Sequence, residues 1–241
     1  MPRPQNAFLQ SLSAGAFALI ADHTTRVELA LGAHVQSPEL ATDWVYFPLK
    51  ALLSIIVLGH PGQGVETSMV GIEGAAGLTE ACGSGTSAVD CLVQVGGPAW
   101  RAPASACRAL VLTSPSFAKT AWRSAELQLV ESRQSGLCHA LHPIEQRLAR
   151  WLLESVERSG SVNPLPMTQE FLSAMLGVQR TTVTALAQRL QALGVIRYSR
   201  GQLTVLDPKT LEGLACGCHR AMQDQRMRLG FAVPSATPVP A

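Results

Sequence analysis

The chain has 241 residues and a formal net charge of +2, enough for two modest domains that each bury a core. The charge is uneven, because residues 1–108 hold five Lys/Arg and eight Asp/Glu, whereas residues 109–241 hold fourteen and nine. An acidic N-terminal part and a basic C-terminal part favour a regulatory module joined to a nucleic-acid-binding module. No apolar run reaches the length that a membrane-spanning helix needs, so no membrane association is expected.

The N-terminal segment predicts an amphipathic helix rather than an export signal. Phe8, Leu12, Phe17 and Leu19–Ile20 are placed so that they can pack on a following domain. With no export signal, we expect the protein to be cytoplasmic.

The six cysteines do not predict a disulfide framework in a chain of this size. Only Cys216-Gly217-Cys218-His219 is clustered, and a one-residue spacing between thiols is poor for tetrahedral chelation. The sequence therefore predicts reduced, mostly inert thiols, with no metal and no cofactor.

The region from Leu29 to about Leu112 predicts short β-strands separated by glycine turns. Trp44–Pro48 is a strand ended by proline, residues 52–58 form a short apolar run, and residues 65–72 alternate. A turn over residues 59–64 separates the last two. Many short strands of this kind indicate a roll or barrel.

Helical spacing begins at Pro115, a residue that suits a first turn. The first helix is predicted to run to about Leu137, and its imperfect apolar stripe consists of Trp122, Leu127, Val130, Leu137 and Leu141, with breaks at Ser135-Gly136 and His142-Pro143. A second helix begins near Pro143 with an apolar face formed by Ile144, Leu148, Trp151 and Leu152. The first helix can pair with its copy across a two-fold axis, or it can be an ordinary core helix.

Residues 166–207 predict a winged helix-turn-helix. Thr168 is a candidate N-cap, Gly177 suits the turn, and a second helix from about Gln179 carries Val183, Leu186, Leu190 and Leu193 on one face. Gly194 stands where a helix C′ residue is expected. Two short strands, over residues 195–198 and 202–206, then flank a turn at 199–201.

The polar positions of this region suit contact with DNA, because residues 171–206 contain no carboxylate. Arg180 can pair with guanine and Gln179 with adenine in the major groove, while Thr168 and Gln169 can hold a phosphate. Ordinary solvated polar positions, or a surface that docks on another protein, are the alternatives. The full set of candidate DNA-binding residues is Thr168, Gln169, Gln179, Arg180, Thr181, Thr182, Thr184, Arg189, Ser199 and Arg200.

Residues from about Leu141 to Leu206 resemble the DNA-binding domain of the Crp/Fnr family of bacterial transcription regulators. The matching segments are HPIEQRLARWLL (142–153), LPMTQEFLSAMLGVQRTTV (165–183) and LGVIRYSRGQLTVLD (193–207). YFP, followed by a turn and VGIEGAAGL, is more loosely similar to the family's sensor roll. The resemblance implies an α+β chain with an N-terminal jelly-roll-like β-roll, a long connecting and dimerisation helix and a C-terminal winged helix-turn-helix.

On this resemblance the chain divides into four parts. Residues 1–112 are the sensor roll, 113–140 the dimerisation helix, 141–210 the winged helix-turn-helix, and 211–241 a C-terminal helix, expected from Pro208 to about Leu229, with a disordered tail from Pro234. The implied partners are double-stranded DNA and a second copy of the chain, and RNA polymerase is a further candidate.

Two departures from the family pattern limit what the resemblance implies. Where cyclic-nucleotide-binding members carry a Glu and an Arg, this chain has Ala75 and Thr86, so control by cyclic AMP is not expected. The effector, and any residues that bind it, stay unknown: another small molecule, a haem held by His34 or His60, and no ligand are all open. On the recognition helix, Thr181 and Ala185 replace a Glu and an Arg, which predicts a different operator.

An enzyme is not expected, because the sequence has no G-x-S-x-G elbow, no Walker loop, no H-E-x-x-H motif and no paired carboxylates in a common motif. The sequence therefore favours a DNA-binding transcription regulator of the Crp/Fnr type that acts as a homodimer. A winged-helix protein-interaction module without sequence-specific DNA binding is the alternative.

Overall fold

The computed structural model describes residues 4–59 and 64–233, which fold into an α+β architecture: a β-rich N-terminal part and a mainly helical C-terminal part, joined by a long helix. His60, the turn around it and the tail from Pro234 lie outside the described residues. In chain order the elements are α1 (Ala7–Ser11), α2 (Ala14–Ala21), β1 (Thr25–Leu29), β2 (His34–Gln36), β3 (Trp44–Pro48), β4 (Leu52–Leu58), β5 (Gly64–Val70), α3 (Leu78–Cys82), β6 (Asp90–Val95), β7 (Gly97–Pro103), α4 (Ala104–Thr113), α5 (Pro115–Leu141), α6 (Ile144–Arg158), β8 (Leu165–Pro166), α7 (Gln169–Leu176), α8 (Arg180–Ala192), β9 (Ile196–Ser199), β10 (Gln202–Val205), α9 (Pro208–Leu214) and α10 (Cys218–Arg228).

The N-terminal roll consists of two antiparallel sheets, in the orders β1-β7-β3 and β2-β6-β4-β5. Its interior is apolar, with Leu53 and Val93 facing Tyr46 and Ala99 of the other sheet. The strands predicted at 44–48 and 52–58 are confirmed, and the one predicted at 65–72 covers Gly64–Val70.

A second core joins the two ends of the described chain. Phe8 lies between Phe47 and Phe117 at ring-centroid distances of 5.5 and 5.9 Å, and it stacks on Phe231 at 6.4 Å. The predicted N-terminal helix is two short helices, α1 and α2, because Ser13 caps a new helix directly after Leu12.

The helices around residue 110 differ from the prediction. Residues 104–113 form α4 rather than strand, and bury Ala104, Cys107 and Leu110 on one face. Helix α5 then runs for 27 residues, through the predicted break at Ser135-Gly136, which it tolerates because Gly136 lies on the exposed side. The predicted C-terminal helix is instead divided into α9 and α10 by Ala215–Gly217. Among the described helices, none is both long and apolar enough to cross a membrane.

Helix α6 connects the roll to the C-terminal part of the chain. Every residue from Leu148 to Arg158 is buried, because one side faces the helix-turn-helix core and another lies on the sheet that contains β4, β5 and β6. Leu52, Met69 and Val95 of that sheet belong to the same apolar cluster as Trp151 and Leu152 of the helix.

A polar layer crosses this interface. The Trp151 indole N–H donates to Glu66 Oε1 at 2.7 Å, and Gln94 Nε2 donates to Ser155 Oγ at 3.0 Å. Ser54 Oγ in turn donates to Gln94 Oε1 at 2.7 Å. These directional contacts fix the orientation of α6 on the sheet, which apolar packing alone specifies less well.

Arg158, at the end of α6, is fully enclosed by acidic groups from three elements. Its guanidinium lies 2.6 Å from Glu73 of the roll, 3.0 Å from Glu131 of α5 and 3.9 Å from Glu154 of α6. Burial works against its charge, but Glu131 and Glu73 outweigh that cost and raise the pKa of Arg158 above its ordinary value. A Cβ at Gly71 would lie 2.1 Å from the Arg158 carbonyl oxygen, so glycine alone allows this approach.

The carboxyl group of Glu66 generates a prediction about pH. Burial raises the pKa of Glu66 to about 7, although Ser54, Trp151 and Arg150 oppose the shift, and its Oε2 has no partner. A raised folded-state pKa means that the native state holds a proton which the unfolded chain releases. The Glu66 contribution to stability is therefore present below about pH 4.5 and is lost as the pH rises to about 7.

We expect Glu66→Gln, which keeps an oxygen acceptor for Trp151 but cannot ionise, to remove this loss. The difference in free energy of unfolding between the variant and wild type should grow by roughly 2–3 kcal/mol in favour of the variant when the pH is raised from 5 to 8. Urea denaturation at both pH values measures the difference. Parallel pH profiles for the two proteins would contradict the assignment.

Candidate nucleic-acid interface

Helices α7 and α8 form a helix-turn-helix with the predicted local chemistry. Thr168 caps α7, and its Oγ1 accepts a hydrogen bond from the Phe171 N–H at 3.0 Å. Gly177 has φ +66° in the turn, and Gly194 has φ +71° directly after α8. Both glycines therefore occupy left-handed positions that end their helices, as the sequence predicts.

The two helices are held by an apolar interior and one polar contact. Thr184 Oγ1 donates to Gln169 Oε1 at 3.1 Å and joins the start of α7 to the first turns of α8. The Leu193 predicted for the apolar face is 63% exposed, because it follows the helix as its C-cap. The side chains that do form the interior are Leu172, Met175, Leu176, Val183, Leu186, Ala187 and Leu190.

The wing is a two-residue hairpin. Arg200 and Gly201 both have positive φ, +51° and +73°, as a type I′ turn between β9 and β10 requires. Strand β8 pairs with β10, and the Met167 N–H donates to the Gly201 carbonyl at 2.7 Å. The wing tip is thereby tied to the residue before Thr168, and the two form one continuous surface.

The structure brings nine of the ten candidate DNA-binding residues to this surface. Gln169, Thr182 and Thr184 are half-buried, and Arg189 stands apart, because its guanidinium lies 3.2 Å from Glu145 at the start of α6. The exposed candidates on the surface are Thr168, Gln179, Arg180, Thr181, Ser199 and Arg200.

Two further exposed residues were missed by sequence reasoning. Gln188 lies seven positions after Thr181, on the same face of α8, and Arg197 lies on β9 beside the wing. The seven-residue spacing from Thr181 could have placed Gln188 on the same face of α8. The position of Arg197 beside the wing can be recognised only when the strand register is known.

The electrostatics of the surface are cationic. Arg180, Arg197 and Arg200 are exposed and make no ion pair within the described residues. Asp207, which follows the wing, is occupied as the N-cap of α9: its pKa lies below the ordinary value because the Thr210 hydroxyl and backbone N–H both hydrogen-bond its carboxylate. The arrangement can therefore accept a polyanion without a carboxylate facing it from the wing or from α8.

The roll and α5 line an open cavity of about 330 Å³. Its walls carry Thr67, Ser68, Gln36 and Gln128 among apolar side chains, and Glu80 is the one charged residue among the described residues that line it. Ala75 and Thr86, which stand where the family's Glu and Arg are expected, are uncharged and are not among the residues that line the cavity, so neither supplies a charge for a cyclic phosphate. His34, a candidate haem ligand, lies 2.7 Å from Asp90 and is not among the residues that line the cavity.

The candidate dimerisation residues divide between two faces of α5. Trp122 and Leu137 are 70% and 44% exposed, together with Leu129 at 50%. Leu127 is only 4% exposed and packs in the core around Phe117, and Val130 packs against the same core. Leu127 is therefore unavailable to a second copy, because the stripe read from the sequence mixed the inner and outer faces of the helix.

The left-handed turn gives a second prediction. Gly177→Ala meets no atom closer than 4.0 Å, so its cost is conformational, roughly 1–2 kcal/mol of unfolding free energy. Gly213→Ala, in α9 with open space and ordinary φ, should instead stabilise by a few tenths of a kcal/mol to about 1 kcal/mol. Chemical denaturation measures the change in free energy of unfolding for each variant. Changes of the same sign in both variants would contradict the turn geometry.

Comparison with known proteins agrees with this geometry. Residues 146–214 match the family described as Crp-like helix-turn-helix domain. No curated protein matches the sequence.

Solved structures match over most of the chain. A Crp/Fnr family transcriptional regulator from Eubacterium rectale is 19% identical, with a TM-score of 0.67 over 87% of this chain and 98% of that chain. The c-di-GMP responsive global regulator from Xanthomonas campestris is 16% identical, with a TM-score of 0.63 over 80% and 99%. A Crp/Fnr family regulator from Thermus thermophilus is 22% identical, with a TM-score of 0.63 over 79% and 98%. At these identities, what the chains share is the fold.

Proposed function

We propose that this chain, whose residues 146–214 are a Crp-like helix-turn-helix domain within the Crp/Fnr fold, is a homodimeric, sequence-specific DNA-binding transcription regulator. The observation that carries the proposal is the continuous cationic surface formed by Thr168, the N-terminal half of α8 and the wing. We assign it no enzymatic activity, and the cytoplasm is the compartment in which such a protein meets DNA.

The N-terminal edge of α8 is the base-reading element. Arg180 is its first residue, is exposed and has no ion-pair partner among the described residues, so its guanidinium is free to pair with the N7 and O6 atoms of guanine. Gln179 and Thr181 flank it, and Gln188 continues the same edge by two turns. Thr168 and Arg200 lie near each other, because the Met167 N–H donates to the Gly201 carbonyl, and they hold phosphates.

Dimerisation uses the outer face of α5. Trp122, Leu129 and Gly136 recur every seven residues on the exposed side, and Ala118, Ala125 and Ser132 lie between them. Large apolar side chains that alternate with small ones suit a close pairing with a second copy of the same helix. A two-fold axis there presents two recognition helices to DNA, and RNA polymerase is the further partner of such a regulator.

The signal enters at the cavity between the roll and α5, and cyclic AMP is not that signal. A cyclic phosphate needs a cation, whereas the described lining offers hydroxyls, amides and Glu80. The effector of this chain is therefore an uncharged or cationic small molecule. Gln128 and Leu129 of α5 contribute to the lining, so occupancy can be transmitted to the dimer helix.

Arg180 provides the direct test of DNA reading. Arg180→Ala should lose roughly 1–3 kcal/mol of affinity for an operator selected from a random pool, and should relax the choice at one base pair. Arg189→Ala is the matched control, because it removes the same charge from the same helix at a position paired with Glu145. Fluorescence anisotropy at two salt concentrations measures both variants.

If Arg180→Ala loses no more affinity for the selected operator than for random DNA, Arg180 does not read a base. Wild-type binding that does not weaken with salt would reject the DNA-binding proposal itself and favour protein docking.

The dimer is tested separately on α5. Leu129→Glu should shift the protein from dimer to monomer in sedimentation velocity, because it places two carboxylates in the seam. Leu112→Glu, which is 82% exposed at the end of α4, should leave the dimer intact. A dimer that survives Leu129→Glu at micromolar concentration would place the interface elsewhere.

A further inference from the structure

Three cysteines and a histidine converge where α5 ends. Cys138 and His142 come from the last turn and cap of α5, Cys216 comes from the segment between α9 and α10, and Cys218 is the first residue of α10. The Cys138 and Cys216 Sγ atoms lie 3.5 Å apart, and Cys218 Sγ lies 3.4 Å from His142 Nδ1. All four candidate ligand atoms lie within 4.8 Å of one another.

Local structure explains the convergence. Cys138 and His142 are four residues apart, so they lie on the same side of the last helical turn, and the His142 N–H donates to the Cys138 carbonyl at 3.1 Å. Gly217 separates the other two thiols at the break between helices and turns both toward α5. The three cysteines are at most 5% exposed and form a small cluster of their own.

We propose that Cys138, His142, Cys216 and Cys218 bind one zinc ion in a tetrahedral Cys₃His site. Zinc holds thiolate sulfur at about 2.3 Å and imidazole nitrogen at about 2.0–2.1 Å, which places tetrahedral ligand atoms roughly 3.5–3.8 Å apart. The observed separations need only a small contraction around the ion. A four-iron cluster spreads its cysteine sulfurs around a much larger body, so this group is too compact to hold one.

The surroundings suit the charge of such a site. Three thiolates, one neutral imidazole and Zn²⁺ carry a net charge of −1, and the guanidinium groups of Arg147 and Arg150 lie close enough to act on Cys138. Gln134 Nε2 donates to Cys218 Sγ at 3.0 Å and orients that ligand from outside. His219, the fourth residue of the sequence cluster, lies 3.1 Å from Glu157 instead.

The metal would tie the hinge at His142-Pro143 to the C-terminal segment. That segment continues into α10, which packs on both α5 and α6. Occupancy of the site therefore sets the rigidity of the junction between the dimer helix and the DNA-binding domain. The site itself stands whether or not the chain binds DNA.

Cobalt titration of the full-length, reduced protein under anaerobic conditions tests the site directly. We expect about one Co²⁺ per chain, with intense thiolate-to-cobalt charge transfer and strong visible bands of tetrahedral geometry, both abolished by a stoichiometric amount of Zn²⁺. Cys216→Ser and His142→Ala should lower the affinity at least tenfold. Cys107→Ser, which removes a buried thiol of α4 in the core around Phe8, should leave the titration unchanged.

The wild-type titration keeps the proposal falsifiable if a variant fails to fold, which circular dichroism would reveal. Absence of charge-transfer bands in the wild-type protein overturns the zinc site, as does an iron–sulfur chromophore on reconstitution. A spectrum that is insensitive to Cys216→Ser in a folded variant overturns the ligand assignment.

Discussion

Arg158 is the contact on which the relation between the two halves of the chain depends. Its guanidinium pairs with Glu73 of the roll and Glu131 of the long helix, while its backbone carbonyl accepts the Ile72 N–H at 2.9 Å. Moving a charge from water into the protein interior costs several kcal/mol. A fully buried arginine is therefore tolerated only when ion pairs and hydrogen bonds from the surrounding groups compensate its charge. If either glutamate were lost, the remaining buried charge would oppose the docked arrangement. The network therefore specifies one position of α6 more strongly than it stabilises the fold.

A second arginine extends this network to the C-terminal segment. Arg226 of α10 is 1% exposed, lies 3.3 Å from Glu131, and also approaches Glu157, which is held by His219 and Gln223. The roll, α5, α6 and α10 thus share one set of acidic groups. Ser132 of α5, which lines the cavity beside that helix, is the residue next to Glu131, so the cavity and the buried ion pairs share one stretch of α5.

The local chemistry of the winged domain was predictable, because each turn depends on a residue type that few others replace. Gly177, Gly194 and the Arg200-Gly201 pair mark left-handed positions that can be recognised without tertiary structure. The sequence did not predict which face of α5 is buried. One side of this helix packs on the roll of the same chain and the other side is exposed, but both sides carry large apolar residues.

Long-range pairing was also beyond the sequence. Cys138 lies 78 residues before Cys216, and His142 lies 76 residues before Cys218, so spacing within the short motif gave no sign of either. The buried charges of α6 were hidden for the same reason, since a helix with Glu154, Glu157 and Arg158 looks solvated until its neighbours are placed.

The stack of Phe8 on Phe231 has a consequence for the order of folding. The aromatic core beneath the first two helices includes Met222, Leu229 and Phe231, which lie more than 200 residues after Phe8 in the sequence. Contacts so distant along the chain carry a large loop-closure entropy, so we expect this core to close late in folding. The N-terminal helices therefore reach their full stability only after the last described helix has docked beside them.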